Sequence, residues 1–179
     1  DIPMGAKVVL PDYIKHHRHI IGMDCFDENV CLFACLAWHL SDKTMKARDV
    51  GFKKLLKQWP EYEGNTKEFA GVTMEELSAF EDVFEVNVNL YSLDENRNGK
   101  LIRKSIGKYQ SWMNLNLYGN HVSYIKDMNQ YCKCFPCSKC ERIFKSVKEL
   151  HKHEKDCKGG VKYKFTGGYY EPTPDIFDK

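Results

Sequence analysis

The period of the apolar positions changes along the chain, and each change predicts an element. From Asn29 to Leu40 the run VCLFACLAWHL is continuously apolar and long enough for a buried helix. Asp49 to Gln58 (DVGFKKLLKQ) reads as a short amphipathic helix ended by Pro60. Thr73-Met-Glu-Glu is an N-cap with acidic first-turn residues, and the helix it opens places Leu77, Phe80 and Phe84 at helical spacing. The period then drops to two. Val86, Val88 and Leu90 alternate with Asn87 and Asn89 up to Tyr91, Asp94 to Gly99 makes a turn, and Leu101 to Ile106 returns as a second strand. Met113 to Tyr118 alternates again, Gly119-Asn120 breaks the run, and His121 to Ile125 forms the next strand. Residues 1–22 show no such period and read as an extended arm, with His16, His17 and His19 as a solvated basic patch. The order predicts an α+β chain: helices first, then an antiparallel sheet.

Composition narrows the class. At 179 residues the chain allows one domain of roughly 130 residues with a small appendage. A hydrophobic content of 42%, with ten Phe, ten Tyr and three Trp, excludes disorder of the whole chain. No apolar run approaches the ~18 residues of a membrane span, and no signal-peptide core opens the sequence. Twenty-seven Lys and Arg against 25 Asp and Glu leave a net charge of +2, which argues against a dedicated nucleic-acid binder. The eight cysteines fall into an early group (Cys25, Cys31, Cys35) and a late one (Cys132, Cys134, Cys137, Cys140, Cys157). Metal spacing in the late group, and a long cysteine-free stretch between the two, point to a reducing intracellular compartment, cytoplasm or nucleus.

The late group carries the most specific local pattern. Cys137-x2-Cys140, twelve residues, His153, three residues, Cys157 is the spacing of a ββα zinc finger with Cys in place of the last His. His153 and Cys157 fall at i and i+4 on one helix face, and Phe144 and Leu150 supply the miniature core; His151 points elsewhere, to solvent. Four protein ligands close the site, so the expected Zn²⁺ is structural. Cys132 and Cys134 are left over, read as spare thiols on the approach strand with an alternative ligand pair as the rival reading. One finger reads only about three base pairs, so a packing or protein-contact role is expected over DNA reading.

The early group carries candidate catalysis. A thiol attacks as thiolate, which a helix N-terminus and a neighbouring imidazolium both stabilise. Cys31 opens the long apolar helix after the turn-forming residues 27–30, where free backbone N–H groups near Asn29 can also bind an oxyanion; Cys35 lies one turn deeper and Cys25 precedes the loop. His121, after the glycine-containing turn, is the partner that begins a strand. Trp38, Trp59 and Trp112 read as packing aromatics, and Asp42 to Arg48 as a solvated connection.

These residues also carry a resemblance. DENVCLFACLAWHL resembles the nucleophile motif of ovarian-tumour (OTU) type proteases, with Glu28 in place of a glycine and Val30 as an extra residue before Cys31. VNVNLY, MNLNLY and HVSYI resemble the strands of the same family. Nearly the whole chain is similar to the region N-terminal to the type-B DNA polymerase of Maverick/Polinton-type mobile elements. The matching parts are Cys31 to His39, Phe80 to Tyr91, His121 to Asp127, the finger, and Phe165 to Tyr170. It also resembles the viral-tegument-like deubiquitinases. The resemblance implies a papain-like cysteine protease fold over residues 1–131, a finger over 132–160, and an extended tail over 161–179 leading into a further domain. It implies a monomeric deubiquitinase that cleaves after the Gly-Gly tail of ubiquitin or a ubiquitin-like modifier. Cys31 would be the nucleophile and His121 the base. Asp127 matches the aspartate of the likeness as third member, with Asp27 and Asn116 as rivals. The alternative is a non-catalytic accessory module of a mobile-element polymerase that binds DNA or protein through the finger; the departure at Glu28 to Val30 favours it, and the presence of both Cys31 and His121 favours the enzyme.

Overall fold

Alternating asparagine and aliphatic residues build the two strands at the middle of the molecule, and the rest of the chain covers their two unlike faces. A computed structural model describes residues 3–5, 8–26, 28–132, 135–137, 139–140 and 142–158. Thirteen elements follow in order among these residues. They are α1 (Asp12–Lys15), β1 (Ile20–Ile21), α2 (Cys31–Leu40), α3 (Met45–Leu56), α4 (Leu77–Phe84), β2 (Val86–Leu93), β3 (Gly99–Arg103), β4 (Ser111–Tyr118), β5 (His121–Ile125), α5 (Met128–Tyr131), β6 (Phe135–Pro136), β7 (Ile143–Phe144) and α6 (Val147–Glu154). The expected tail and the Phe165 to Tyr170 stretch lie outside the described residues, as do Asp27 and Cys134. No helix among the described residues is long and apolar enough to cross a membrane.

Five strands form one sheet in the order β1-β5-β4-β2-β3. The expectation of an antiparallel sheet needs correction, because β2 and β4 run parallel, with Val86 beside Ser111 and Tyr91 beside Asn116. The cause is the connection. The hairpin β2–β3 returns the chain to the end where β2 began, and residues 104–110 then lead it to the far side of β2, where β4 runs the same way. Asparagine side chains hold that crossing: the Ser105 and Tyr109 N–H groups donate to Asn89 Oδ1 (2.9 Å) and Asn87 Oδ1 (3.0 Å). Trp112, 41% exposed, lies close against Gly107 in the same connection, whereas Trp38 and Trp59 are buried.

The two sheet faces differ. Val86, Val88, Leu90, Met113, Leu115 and Val122 share a core with α2 and α4. The opposite face is covered by a smaller cluster that joins Ile14, Ile20, Leu93, Ile125 and Tyr131. Residues 1–22 therefore need a second correction: they are not simply an extended arm. Within them α1 forms, and β1 pairs antiparallel with β5, Ile20 opposite Ile125. His17 is also not solvated; it is buried, and its Nε2 meets the Tyr131 carbonyl at 2.9 Å.

Helix α4 begins one turn later than expected. Thr73 and Glu76 still exchange the reciprocal bonds of a capping box, Thr73 N–H to Glu76 Oε1 (3.0 Å) and Glu76 N–H to Thr73 Oγ1 (3.3 Å). Helix α3 starts earlier, at a Thr44 cap that accepts from the Ala47 N–H. A buried ion pair ties α4 to the sheet. Arg103 Nη2 lies 3.0 Å from Glu81 Oε1, and Glu81 Oε2 accepts from the Val88 N–H at 2.7 Å. Burial pushes the Glu81 carboxyl up, but hydrogen bonds from Arg103, Ser105 and Val88 outweigh it and hold it below the usual range.

Removing that carboxylate leaves Arg103 and the Val88 N–H without it, and Glu81→Gln should cost about 3 kcal/mol at pH 7 in urea unfolding. A depressed folded pKa gives stability that is present above the unfolded carboxylate value and lost as pH falls through the folded one. The gap between wild type and Glu81→Gln should therefore narrow below pH 4; a gap independent of pH would contradict the ion-pair account.

Candidate functional site

Helix α2 starts at Cys31, and its first residues are placed by what precedes them. Val30 is the N-cap, with no side-chain cap bond, so the first-turn N–H groups are not taken by a capping side chain. The Val30 N–H itself is committed to the Glu28 carbonyl (2.9 Å). Asn29, expected near the oxyanion, has its side-chain amide donating to the Phe69 carbonyl at 3.0 Å, which pins the loop. Any oxyanion contact here thus falls to backbone N–H groups rather than to that amide.

Cys31 meets the strand that His121 opens, one residue on from the histidine. The Val122 N–H donates to Cys31 Sγ at 3.5 Å, so the sulfur lies against the backbone of the residue that follows His121. Both side chains are buried, Cys31 1% exposed and His121 1%. Burial pushes the Cys31 thiol up to about 12, against the pull of the Val122, Leu32 and Cys31 N–H groups. Cys35, one turn deeper, has its sulfur 3.9 Å from the Val122 carbonyl, and burial raises its thiol well above the ordinary value. Cys25 is exposed.

Asp127 does not join this pair and is corrected here. β5 keeps regular register with β4, Tyr118 opposite His121 and Leu115 opposite Tyr124, so six residues carry Asp127 roughly 20 Å along the chain from His121. Its exposed carboxylate caps α5 instead, accepting from the Asn129 (3.0 Å) and Gln130 (3.3 Å) N–H groups. Asp-Met-Asn-Gln is an N-cap sequence, and that local bond explains the residue's place. Asn116 stands differently. It is the Cα partner of Ser123, so on a pleated sheet it shares a face with His121, one pair away. It is wholly buried, the Tyr131 hydroxyl donates to its Oδ1, and its Nδ2 has no hydrogen-bond partner among the described residues.

Arg48 was missed by sequence reasoning, which placed Asp42 to Arg48 in solvent. It is 4% exposed. Its guanidinium donates to the Gly22 carbonyl (3.3 Å) and to Cys25 Sγ (3.3 Å), and sits 4.9 Å from the centre of the Phe26 ring. Arg48 thereby orders the loop that leads to Cys31. The signal was present: Arg48, Phe52 and Leu56 recur every four residues and are the buried face of α3. A cleft of about 380 Å³ opens beside the same loop, lined by Phe26, Glu28, Asp49, Phe52, Lys53 and Thr66.

The metal-type cluster forms as its spacing predicts. Cys137, Cys140, His153 and Cys157 place one ligand atom each within 4.8 Å of one another. A tetrahedral ion with metal–sulfur bonds of about 2.3 Å needs ligand atoms roughly 3.5–4 Å apart, so the set fits a closed zinc site. Cys140 Sγ is 3.3 Å from His153 Nε2, and the Phe144 ring packs 4.7 Å from the His153 ring. β6, β7 and α6 frame the cluster. His151 is exposed, as expected. Cys132 is outside the cluster, buried at the end of α5 with its thiol 3.7 Å from the Met128 carbonyl.

No family model, no curated protein and no solved structure matches the chain.

The cluster predicts one zinc per chain by elemental analysis of purified protein. Cys140→Ser and Cys157→Ser should each release it, while His151→Ala keeps full occupancy. Full occupancy in Cys140→Ser would contradict the four-ligand assignment.

Proposed function

We propose that the chain is a cysteine peptidase of papain-like architecture that hydrolyses the bond after the C-terminal Gly-Gly of ubiquitin or a ubiquitin-like modifier. The observation that carries it is the position of Cys31 Sγ, at the start of α2 and against the backbone N–H next to His121. The choice of ubiquitin rests on the resemblance of residues 27–40 and 121–125 to deubiquitinase motifs. Cys31 Sγ attacks the scissile carbonyl as thiolate, and first-turn N–H groups of α2 bind the developing oxyanion. His121 gives a proton to the leaving amine, then takes one from the water that cleaves the thioester. Asn116, which shares a sheet face with His121 and is fixed by the Tyr131 hydroxyl, replaces Asp127 as the candidate third residue. The finger, loaded with zinc, is a structural appendage.

A second reading is a non-catalytic accessory module of a mobile-element polymerase. The burial of Cys31, with a thiol raised to about 12, is the observation in its favour.

Hydrolysis of a fluorogenic ubiquitin C-terminal amide separates the residue roles. Cys31→Ala should abolish turnover. Asn116→Ala should lower kcat on the order of 100-fold with KM unchanged, since it weakens proton transfer and not binding. Asp127→Ala should lose the α5 cap, worth roughly 0.5–2 kcal/mol of stability, while turnover by the folded protein stays within about twofold of wild type. Turnover that survives Cys31→Ala would refute the nucleophile; loss in Asp127→Ala but not in Asn116→Ala would reverse the assignment of the third residue.

A further inference from the structure

The segment Pro3–Gly5 bridges the two loops that carry the candidate pair. The Gly5 N–H donates to the Asn120 carbonyl at 2.7 Å, directly before His121, and Asn120 Nδ2 donates back to the Pro3 carbonyl at 3.3 Å. Met4 pairs antiparallel with Val72 through an N–H to carbonyl bond of 2.8 Å. On the other flank Gly5 lies so close to Asn29, two residues before Cys31, that a Cβ would stand 2.9 Å from its backbone atoms. Gly5 has φ +137°, so no other residue takes its place without both strain and a clash. Gly71, at φ +93°, is needed in the same way: a Cβ there would lie 2.4 Å from the Met4 carbonyl oxygen. Met4 itself is 2% exposed, in one core cluster with Val30 and Cys31.

A segment held by backbone bonds to Val72 and Asn120, and admitting only glycine beside the nucleophile loop, is bound as a peptide substrate strand is bound. We propose that Pro3–Gly5 is an internal strap across the loops before Cys31 and His121, and that extended peptides with glycine at the Gly5 position bind there by displacing it. The inference rests on the reading of Cys31 as nucleophile. It accounts for an otherwise awkward pairing, a nucleophile and a base that are both inaccessible. Strap and substrate compete for the Asn120 and Val72 carbonyls, so apparent affinity for substrate is reduced by the fraction of chains with the strap in place.

Site-resolved alkylation by iodoacetamide, read by mass spectrometry on the full chain, tests the strap without any ubiquitin. Gly5→Val, whose side chain collides with Asn29, should raise the alkylation rate of Cys31 at least about tenfold. Cys35, one turn deeper, should stay protected, which distinguishes strap release from unfolding. The double variant Met4→Cys/Val72→Cys, oxidised to a disulfide across the Met4–Val72 pair, should instead slow Cys31 alkylation below wild type until reductant opens it, and it decides the matter if Gly5→Val does not fold. Unchanged Cys31 rates in both variants would overturn the strap. Ubiquitin-amide hydrolysis in the same samples keeps the two ideas apart. Faster alkylation in Gly5→Val with no hydrolysis would sustain the strap and sink the ubiquitin reading; hydrolysis with unchanged alkylation would do the reverse.

Discussion

The burial of α2 on every side is the constraint that the rest of the structure obeys. Eight consecutive residues, Cys31 to Trp38, are buried. A helix apolar all round has no face to give to water, so other elements must enclose it. β5 and β4 take one side and α3 another. Phe33 is ringed by Trp59, Phe69, Phe80 and Phe84, all within 6.2 Å between ring centres. Each large side chain buried there contributes roughly 1.5–3 kcal/mol. With so much burial fixing the helix, its N-terminus has little freedom, and the sulfur of Cys31 is held against β5 at Val122.

The second face of the sheet solves a different problem. Asn87, Asn89, Asn114 and Asn116 project from adjacent strands where aliphatic residues would be expected of a core, and the crossing 104–110 is bonded to Asn87 and Asn89. The Asn87 and Asn89 amides supply hydrogen bonds that the irregular crossing needs, while Asn114 accepts from Asn89 Nδ2 and Asn116 from the Tyr131 hydroxyl. His121, Ser123 and Asn116 lie on this same polar face. His121 thus lies on the polar face of the sheet and α2 on the apolar one, and Cys31 Sγ reaches β5 at the Val122 backbone.

Much of this was legible from residue patterns, for reasons that can be named. Cys31 at the helix start follows from the sharp switch between the turn-forming residues 27–30 and the apolar run, and the Cys137, Cys140, His153 and Cys157 set follows from ligand spacing alone. The hairpin at Asp94 to Gly99 was announced by its turn residues: the Asp94 side chain accepts from the Asn96 and Asn98 N–H groups. What escaped was non-local. The parallel β2–β4 pair depends on where residues 104–110 lead the chain, and alternation is the same in parallel and antiparallel neighbours. β1 is two residues long, too short for a period to show, and it exists because β5 offers an edge. Asp127 looked available for catalysis because its capping role depends on a helix of only four residues. Arg48 is the opposite case, a charge hidden by packing that its helical spacing could have exposed.

The account stands on Cys31 as the nucleophile of a ubiquitin-directed peptidase. Its most direct test is intact-mass analysis after incubation with ubiquitin carrying a C-terminal propargylamide, on wild type and on Cys31→Ala. The account predicts one covalent ubiquitin adduct on wild type and none on Cys31→Ala; zinc-loaded, folded protein that forms no adduct, or an adduct that persists without Cys31, would contradict it.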